Sequence, residues 1–372
     1  MPAGFGSRYR MTYRSRSSMR HARCRESDKG REPRRTRAPG RACGGRFRRA
    51  IVALACAVMA VGSMARAAAA QLTAPAGESE CCLVLLLPVG ANSIALGRTL
   101  TARTTQDGAF ANPAGLAGLE LGHFVVHRTA LAGDATAFSL LLTPRDLGTV
   151  GISYQLIDFG EIETTDEGGM TIGTLSLRHH LLIASFAAAL GSGFDAGINY
   201  KFYQFRVGCS GTCSEHGLKM TARALDIGLR YTPPALRSLQ LGVVASNIGF
   251  SPRAGKDGPT ERLPLRLRVG ATYQVVERVL PELPLAALFS LEFEDTLRDP
   301  GSPTPSVGLE LNADDLVFLR AGFIPGDGAG TGAAVGVGVN YGRFVISVAK
   351  SFGTPFSEVD PEALQVSFGI SF

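Results

Sequence analysis

The closing residues Leu364-Gln-Val-Ser-Phe-Gly-Ile-Ser-Phe372 alternate without a break. Leu364, Val366, Phe368, Ile370 and Phe372 share one face of an extended chain. Gln365, Ser367, Gly369 and Ser371 share the other. A period of two marks a strand with one apolar face. The same reading holds upstream. Phe194, Ala196, Ile198, Tyr200 and Phe202 oppose Asp195, Gly197, Asn199 and Lys201. Leu263, Leu265, Leu267, Val269, Ala271 and Tyr273 oppose Pro264, Arg266, Arg268, Gly270 and Thr272. Val335, Val337, Val339 and Tyr341 alternate with Gly336, Gly338 and Asn340.

Working outward, strands are expected near 120–128, 136–143, 147–157, 174–189, 193–206, 219–232, 237–249, 261–276, 283–294, 305–311, 315–323, 332–341, 343–352 and 363–372. A soluble sandwich also alternates, so the connections decide. Tight turns fall at 144–146, 190–192, 233–236, 312–314 and Gly342. Longer Gly-, Pro- and charge-rich loops fall between them, at 158–173, 207–218, 250–260, 295–304, 324–331 and 353–362. An even strand number with short turns on one side and long loops on the other predicts an all-β fold, a transmembrane antiparallel β-barrel of about 14 strands over 120–372. Closure removes the strand edges that a bilayer forbids. The terminal Val366, Phe368, Ile370 and Phe372 are the expected signal to a barrel-assembly machinery, with outer-membrane lipid as the surroundings.

The chain has 372 residues, of which 45% are hydrophobic and 19% charged. That composition excludes a disordered protein. The net charge of +6 is unevenly spread. Residues 1–70 hold 17 Lys/Arg and 3 Asp/Glu; the rest hold 21 and 29. The basic excess therefore belongs to the leading segment, and no nucleic-acid partner is expected. That segment runs from an Arg-rich stretch to Ile51–Val61 and then Ala67–Ala70. Basic, apolar and small-residue regions in that order predict a signal peptide over 1–70. The long basic region allows a start at Met11, Met19 or later. Export predicts a place in the cell outer membrane and disulfides among Cys81, Cys82, Cys209 and Cys213. Cys209 and Cys213 can close a small loop or stay free. The pairing of Cys81 and Cys82, with each other or across, is open.

Residues 71–119 do not alternate. Leu83–Leu87 is apolar, and Asn112-Pro113 is a turn-former. The apolar content predicts a plug packed into the lumen rather than a linker. Asp107, Asn112, Pro113, Ala114 and Gly115 are its candidate gating residues.

At this point a resemblance becomes specific. Asp107 followed by Asn112-Pro-Ala-Gly-Leu-Ala117, ahead of a first strand, is similar to the opening of FadL-like outer-membrane proteins. More narrowly, the chain resembles the PorV/PorQ group. Tyr154-Gln155, Phe159-Gly160-Glu-Ile162 and Thr165-Asp166 carry that likeness. So do Ala224-Leu-Asp226-Ile-Gly228, Ala245-Ser-Asn247-Ile-Gly249, Leu263-Pro264 to Gly270, Gly308-Leu-Glu310 and Leu319-Arg-Ala-Gly322. The stretch Leu175–His180 departs from the pattern. The resemblance implies a fourteen-stranded barrel with an N-terminal hatch. It implies passage of a hydrophobic small molecule or, for PorV/PorQ, handling of an exported protein.

The residues suggest no enzyme, no cofactor and no metal centre. No nucleophile–base pair stands out. His123 and His127 share a strand face and read as lumen residues rather than ligands. His179 and His180 point to opposite faces. With the apolar face toward lipid, the lumen receives Asp195, Lys201, Asp226, Arg230, Arg266, Arg268, Glu292, Glu294 and Arg320. Their mixed signs predict bracing ion pairs rather than a single-sign ion filter. Neither a charged filter nor an aliphatic conduit is clear from the lumen-facing residues.

Overall fold

The computed structural model describes residues 80–130, 133–145, 147–212, 218–249, 261–280, 283–324, 332–352 and 364–372. The leader expected over 1–70 and Cys213 lie outside these residues. Alternating sequence becomes fourteen strands. They are β1 His123–Ala130, β2 Asp134–Leu142, β3 Thr149–Thr165, β4 Thr171–Gly191, β5 Phe194–Gly211, β6 Lys219–Tyr231 and β7 Leu239–Gly249. β8 Arg266–Leu280, β9 Leu283–Thr296, β10 Thr304–Ala313, β11 Val317–Ile324, β12 Gly332–Tyr341, β13 Phe344–Phe352 and β14 Gln365–Ser371 complete the wall.

Each strand pairs antiparallel with its sequence neighbour, and β1 pairs with β14 to close the barrel. The closing register runs from His123 opposite Ser371 to Thr129 opposite Gln365. Phe372 extends this seam, exchanging backbone hydrogen bonds with Gly122 (2.9 and 3.0 Å). The alternating apolar residues face outward. Ile152 is 58% exposed, Phe289 54% and Val366 41%, while their neighbours Ser153, Ser290 and Ser367 are buried. A surface of this kind suits hydrocarbon rather than water.

The layout departs from expectation in two places. β3, β4 and β5 run well into the stretches expected as loops at 158–173 and 207–218. Beyond the apolar belt both strand faces are wet. Glu161 and Glu163 then show no alternation, although the ladder continues with Glu163 opposite Thr174. Leu263 was expected on the outer face of a strand from 261. Instead β8 begins at Arg266, and Leu263 is fully buried. Pro264 has no N–H to give a ladder. The chain turns there, with the Leu265 N–H donating to the Leu263 carbonyl (2.9 Å).

Residues 80–122 lie within the ring of strands. They form a 3₁₀ turn Leu83–Leu86, a short helix α1 Ala91–Ala95, and 3₁₀ turns Gln106–Ala109 and Pro113–Leu116. Thr105 and Asn112 cap the last two turns, accepting from the N–H of Asp107 and Ala114. α1 packs on β11–β14, and the Pro113–Leu116 turn on β4–β6.

Candidate functional site

The lumen has two kinds of lining. Leu181 and Ile183 on β4, Tyr203 on β5, and Met220, Ala222 and Ala224 on β6 form a buried apolar wall. It lies toward the end of the barrel that carries the long β5–β6 connection. Leu263 and Cys81 join it, and Cys82, Val84, Leu85, Phe110 and Phe205 pack against it. His179 continues the wall outward. Its Nδ1 lies 2.6 Å from the Tyr203 hydroxyl, and its ring sits 4.7 Å from that of Phe205 and 5.2 Å from that of Phe159. The aliphatic lining that the lumen-facing residues did not reveal is therefore present. β4 hid it, because Leu181, Ile183 and Ala187 face inward while Leu182, Ala184 and Phe186 face outward. Both faces are apolar, so no alternation marks which one is the lumen.

The rest of the lining is ionic, from Asp195 and Arg230 near the short-turn end to Arg266, Arg268 and Glu294 near the long-loop ends of β8 and β9. All nine lumen charges named from the sequence face inward and are engaged. Lys201 pairs with Asp226 (2.8 Å) and donates to Asn247 Oδ1 (2.9 Å). Asp226 also accepts from the Asn199 amide and the Asn247 N–H, each at 2.9 Å. Arg230 pairs with Asp195 (2.7 Å) and donates to Thr104. Arg268 lies between Glu292 (3.7 Å) and Glu294 (3.9 Å). Arg320 pairs with Glu310 (2.6 Å), and Arg266 with Glu80 (2.7 Å). A buried charge persists only with such partners.

Many of these groups hold the inner segment. Arg98 bonds Glu294 (3.1 Å), and Arg103 bonds Glu310 (2.6 Å). The Thr101 N–H donates to Glu292 (3.0 Å), and Arg268 donates to the Ala111 carbonyl (2.5 Å). Sequence reasoning missed Arg98, Arg103 and Glu310. The first two lie outside any strand, and Glu310 was not counted among the lumen charges.

Asn112, 1% exposed, is the deepest anchor. Its amide donates to the Thr101 carbonyl (2.7 Å) and reaches the carbonyls of Leu229 on β6 (3.4 Å) and Val243 on β7 (3.5 Å). Its Oδ1 accepts from Ala114 (3.0 Å). Pro113, Ala114 and Gly115 are buried with it, and Asp107 is 1% exposed near the seam. There His127 Nε2 lies 3.6 Å from Asp107 Oδ1, and His127 Nδ1 lies 2.8 Å from Ser367 Oγ, which accepts from the Ala91 N–H (2.8 Å). His123 and His127 are four residues apart on β1, about 13 Å along an extended strand.

Glycines on the strands make room for this seat. A side chain at Gly228 would strike Asn112, and one at Gly197 would strike Pro113. Gly242 meets Thr101, Gly308 meets Leu96, Gly322 meets Gly97, and Gly336 meets Ala95. Alternation puts Gly197 and Gly336 on the inward faces of their strands, but nothing in the sequence shows which residue of the inner segment each will meet.

Where the two linings meet, a cavity of about 20 Å³ lies against Leu85–Pro88, Phe110, Lys201, Arg268 and Glu294. That is room for about one water. Cys81 and Cys82 are joined by a disulfide at the apolar end. Cys209 is also disulfide-bonded. Val366, Phe368 and Phe372 are exposed on the outer face at the seam, with Ile370 between them. Among the described residues no group of three or more His, Cys, Asp or Glu is arranged to hold a metal ion.

No family model matches the chain, and no curated protein matches it. Solved structures do. The toluene transporter TbuX of Ralstonia pickettii is 12% identical, with 76% of this chain and 98% of that one covered at a TM-score of 0.50. The monoaromatic hydrocarbon channel CymD is 14% identical, covers 77% and 98%, and has a TM-score of 0.50. At such identities the likeness is one of fold.

Proposed function

We propose that this chain is an outer-membrane barrel of FadL-like type for passive uptake of a hydrophobic small molecule, with residues 80–119 as its gate. The carrying observation is the apolar wall of β4–β6, capped by residues 81–85 and Phe110, above the Asn112 anchor and beside the ionic groups of β8 and β9. A hydrophobic ligand entering from the long-loop end would be held by Leu181, Ile183, Tyr203 and Leu263. It would be stopped at Asn112 until the segment shifts. The β6–β7 register shift between Leu225 and Ile227, with Asn247 in the left-handed region, lies beside this anchor and suits a lateral exit. TbuX and CymD support the class of ligand. The signal peptide expected from residues 1–70 is the route of export in this reading.

The test is uptake of a radiolabelled monoaromatic hydrocarbon into vesicles carrying the inserted protein. Wild-type vesicles should load faster than protein-free vesicles, and Asn112→Ala should change the rate. Equal loading with and without the protein would overturn the reading.

One observation favours a second reading. The segment is tied to the wall by ion pairs, and the cavity where the two linings meet has room for about one water. A barrel sealed in this way suits the non-conducting, protein-binding role of the PorV/PorQ type, in secretion or attachment of exported proteins. Mass spectrometry of the protein purified from outer membranes separates the two. A stoichiometric lipid-like or aromatic ligand supports uptake. A stoichiometric exported polypeptide with an empty barrel supports the second reading.

A further inference from the structure

The outer face of β4–β6 carries a row of cations. Arg178 on β4 lies directly opposite Arg206 on β5, and Arg206 directly opposite Lys219 on β6. Arg223 follows on the same face of β6, opposite Phe202. All four are exposed, and they alternate with inward Leu177, Tyr203, Val207, Met220 and Ala222. Like charges placed opposite one another across strands destabilise a sheet. Among the described residues only Arg178 has a balancing carboxylate, Asp158 at 2.8 Å. Arg206 donates to the neutral Gln204 amide. Among the described residues no carboxylate lies within salt-bridge distance of Arg206, Lys219 or Arg223. Glu161 and Glu163 lie farther out on β3, opposite Ser176 and Thr174, beyond the Arg178 column.

The height of the row is informative. The outward residues of β5 are apolar from Phe194 to Phe202. Those eight steps span about 27 Å along the strand, or about 20 Å along the membrane normal at a tilt of about 40–45°. That is close to the depth of a barrel's apolar band. Arg206 lies four residues farther, about 10 Å higher along the normal. Arg178, Arg206 and Lys219 thus stand above the hydrocarbon at headgroup level and Arg223 at its edge, with Leu182 and Leu225 exposed beneath them.

We infer that this face docks the phosphorylated headgroup of an anionic glycolipid of the outer leaflet. Arg206, Lys219 and Arg223 take the phosphate oxygens, Arg178 flanks them, and acyl chains lie over Leu182, Phe202 and Leu225. Arginine and lysine near a membrane surface attract such groups, and guanidinium forks match phosphate oxygens. The inference rests on the outer-membrane reading above, with the long loops outward.

The test is native mass spectrometry of the full folded chain in mild detergent, titrated with bis-phosphorylated hexa-acyl lipid A and with its dephosphorylated form. Wild type should retain the phosphorylated lipid and shed the other. Arg206→Gln/Lys219→Gln/Arg223→Gln should bind on the order of 100-fold more weakly, roughly fivefold per cation removed. Arg206→Lys/Arg223→Lys should keep most of the binding, as should the control Arg128→Gln on β1. Equal retention of both lipids, or unchanged binding in the triple variant, would overturn the proposal. So would full competition by equimolar soluble glucosamine phosphate, which would mean a site for free phosphate. If the triple variant does not fold, the wild-type comparison of the two lipids still decides. Heat-modifiable gel mobility reports insertion independently. A wild-type chain that never inserts removes the membrane reading, whereas an inserted barrel indifferent to phosphate removes only this site.

Discussion

At the scale of single residues, the strongest constraint is that buried charges are mutually satisfied. Lys201 and Asp226 are nearly fully buried. Lys201→Met would leave Asp226 among Asn199 and Asn247 without its cation, a change that typically costs about 3–5 kcal/mol. The unfolding midpoint of the inserted barrel in urea should fall, and Lys201→Met/Asp226→Leu should recover much of the loss. Gly228 makes a complementary case. Any side chain there meets Asn112, so Gly228→Leu should displace the inner segment while leaving the outer face of β6 unchanged. Planar-bilayer recordings should show a higher open conductance than wild type. Equal conductance with correct insertion would show that Asn112 is not the obstruction.

At the scale of elements, the terminal strand closes the barrel. Phe372 adds two backbone hydrogen bonds to Gly122, just ahead of β1, and an exposed aromatic ring beyond β14. Deleting Phe372 should lower the amount of heat-modifiable barrel in the outer membrane several-fold. The strand pattern was largely legible, because an apolar outer face and a polar inner face impose a period of two. β14 and the membrane half of β5 carry it plainly. It failed where that contrast disappears. Beyond the apolar belt both faces of β3 and β4 are at least partly exposed, so strands there read as loops. Along Leu181–Ala187 both faces are apolar, so the inner wall went unseen. Leu263 misled for a local reason, since Pro264 breaks the ladder while the alternation carries on. The anchor residues Asp107 and Asn112–Gly115 stood out by turn chemistry. Arg98 and Arg103 did not, because nothing in a non-alternating segment shows which arginine will meet a carboxylate on a distant strand.

At the scale of the whole molecule, wall and contents are separable. The strands form a closed hydrogen-bonded ring without the inner segment, and the outer face owes that segment nothing. Removing residues 80–119 should therefore leave an inserted, heat-modifiable barrel with a wide, non-selective conductance. Failure to insert would show that the segment is needed to build the wall. The seat described above also orders events in time. Ala91 bonds Ser367, 276 residues away, and Arg103 bonds Glu310. Contacts of such sequence separation form late, because loop closure must precede them. The segment comes ahead of every strand in the chain, yet its sockets, on β1 and from β4 to β14, exist only once strands around the whole ring stand side by side. The closing seam and the seat therefore wait on the same event, because neither can form until β14 has been made.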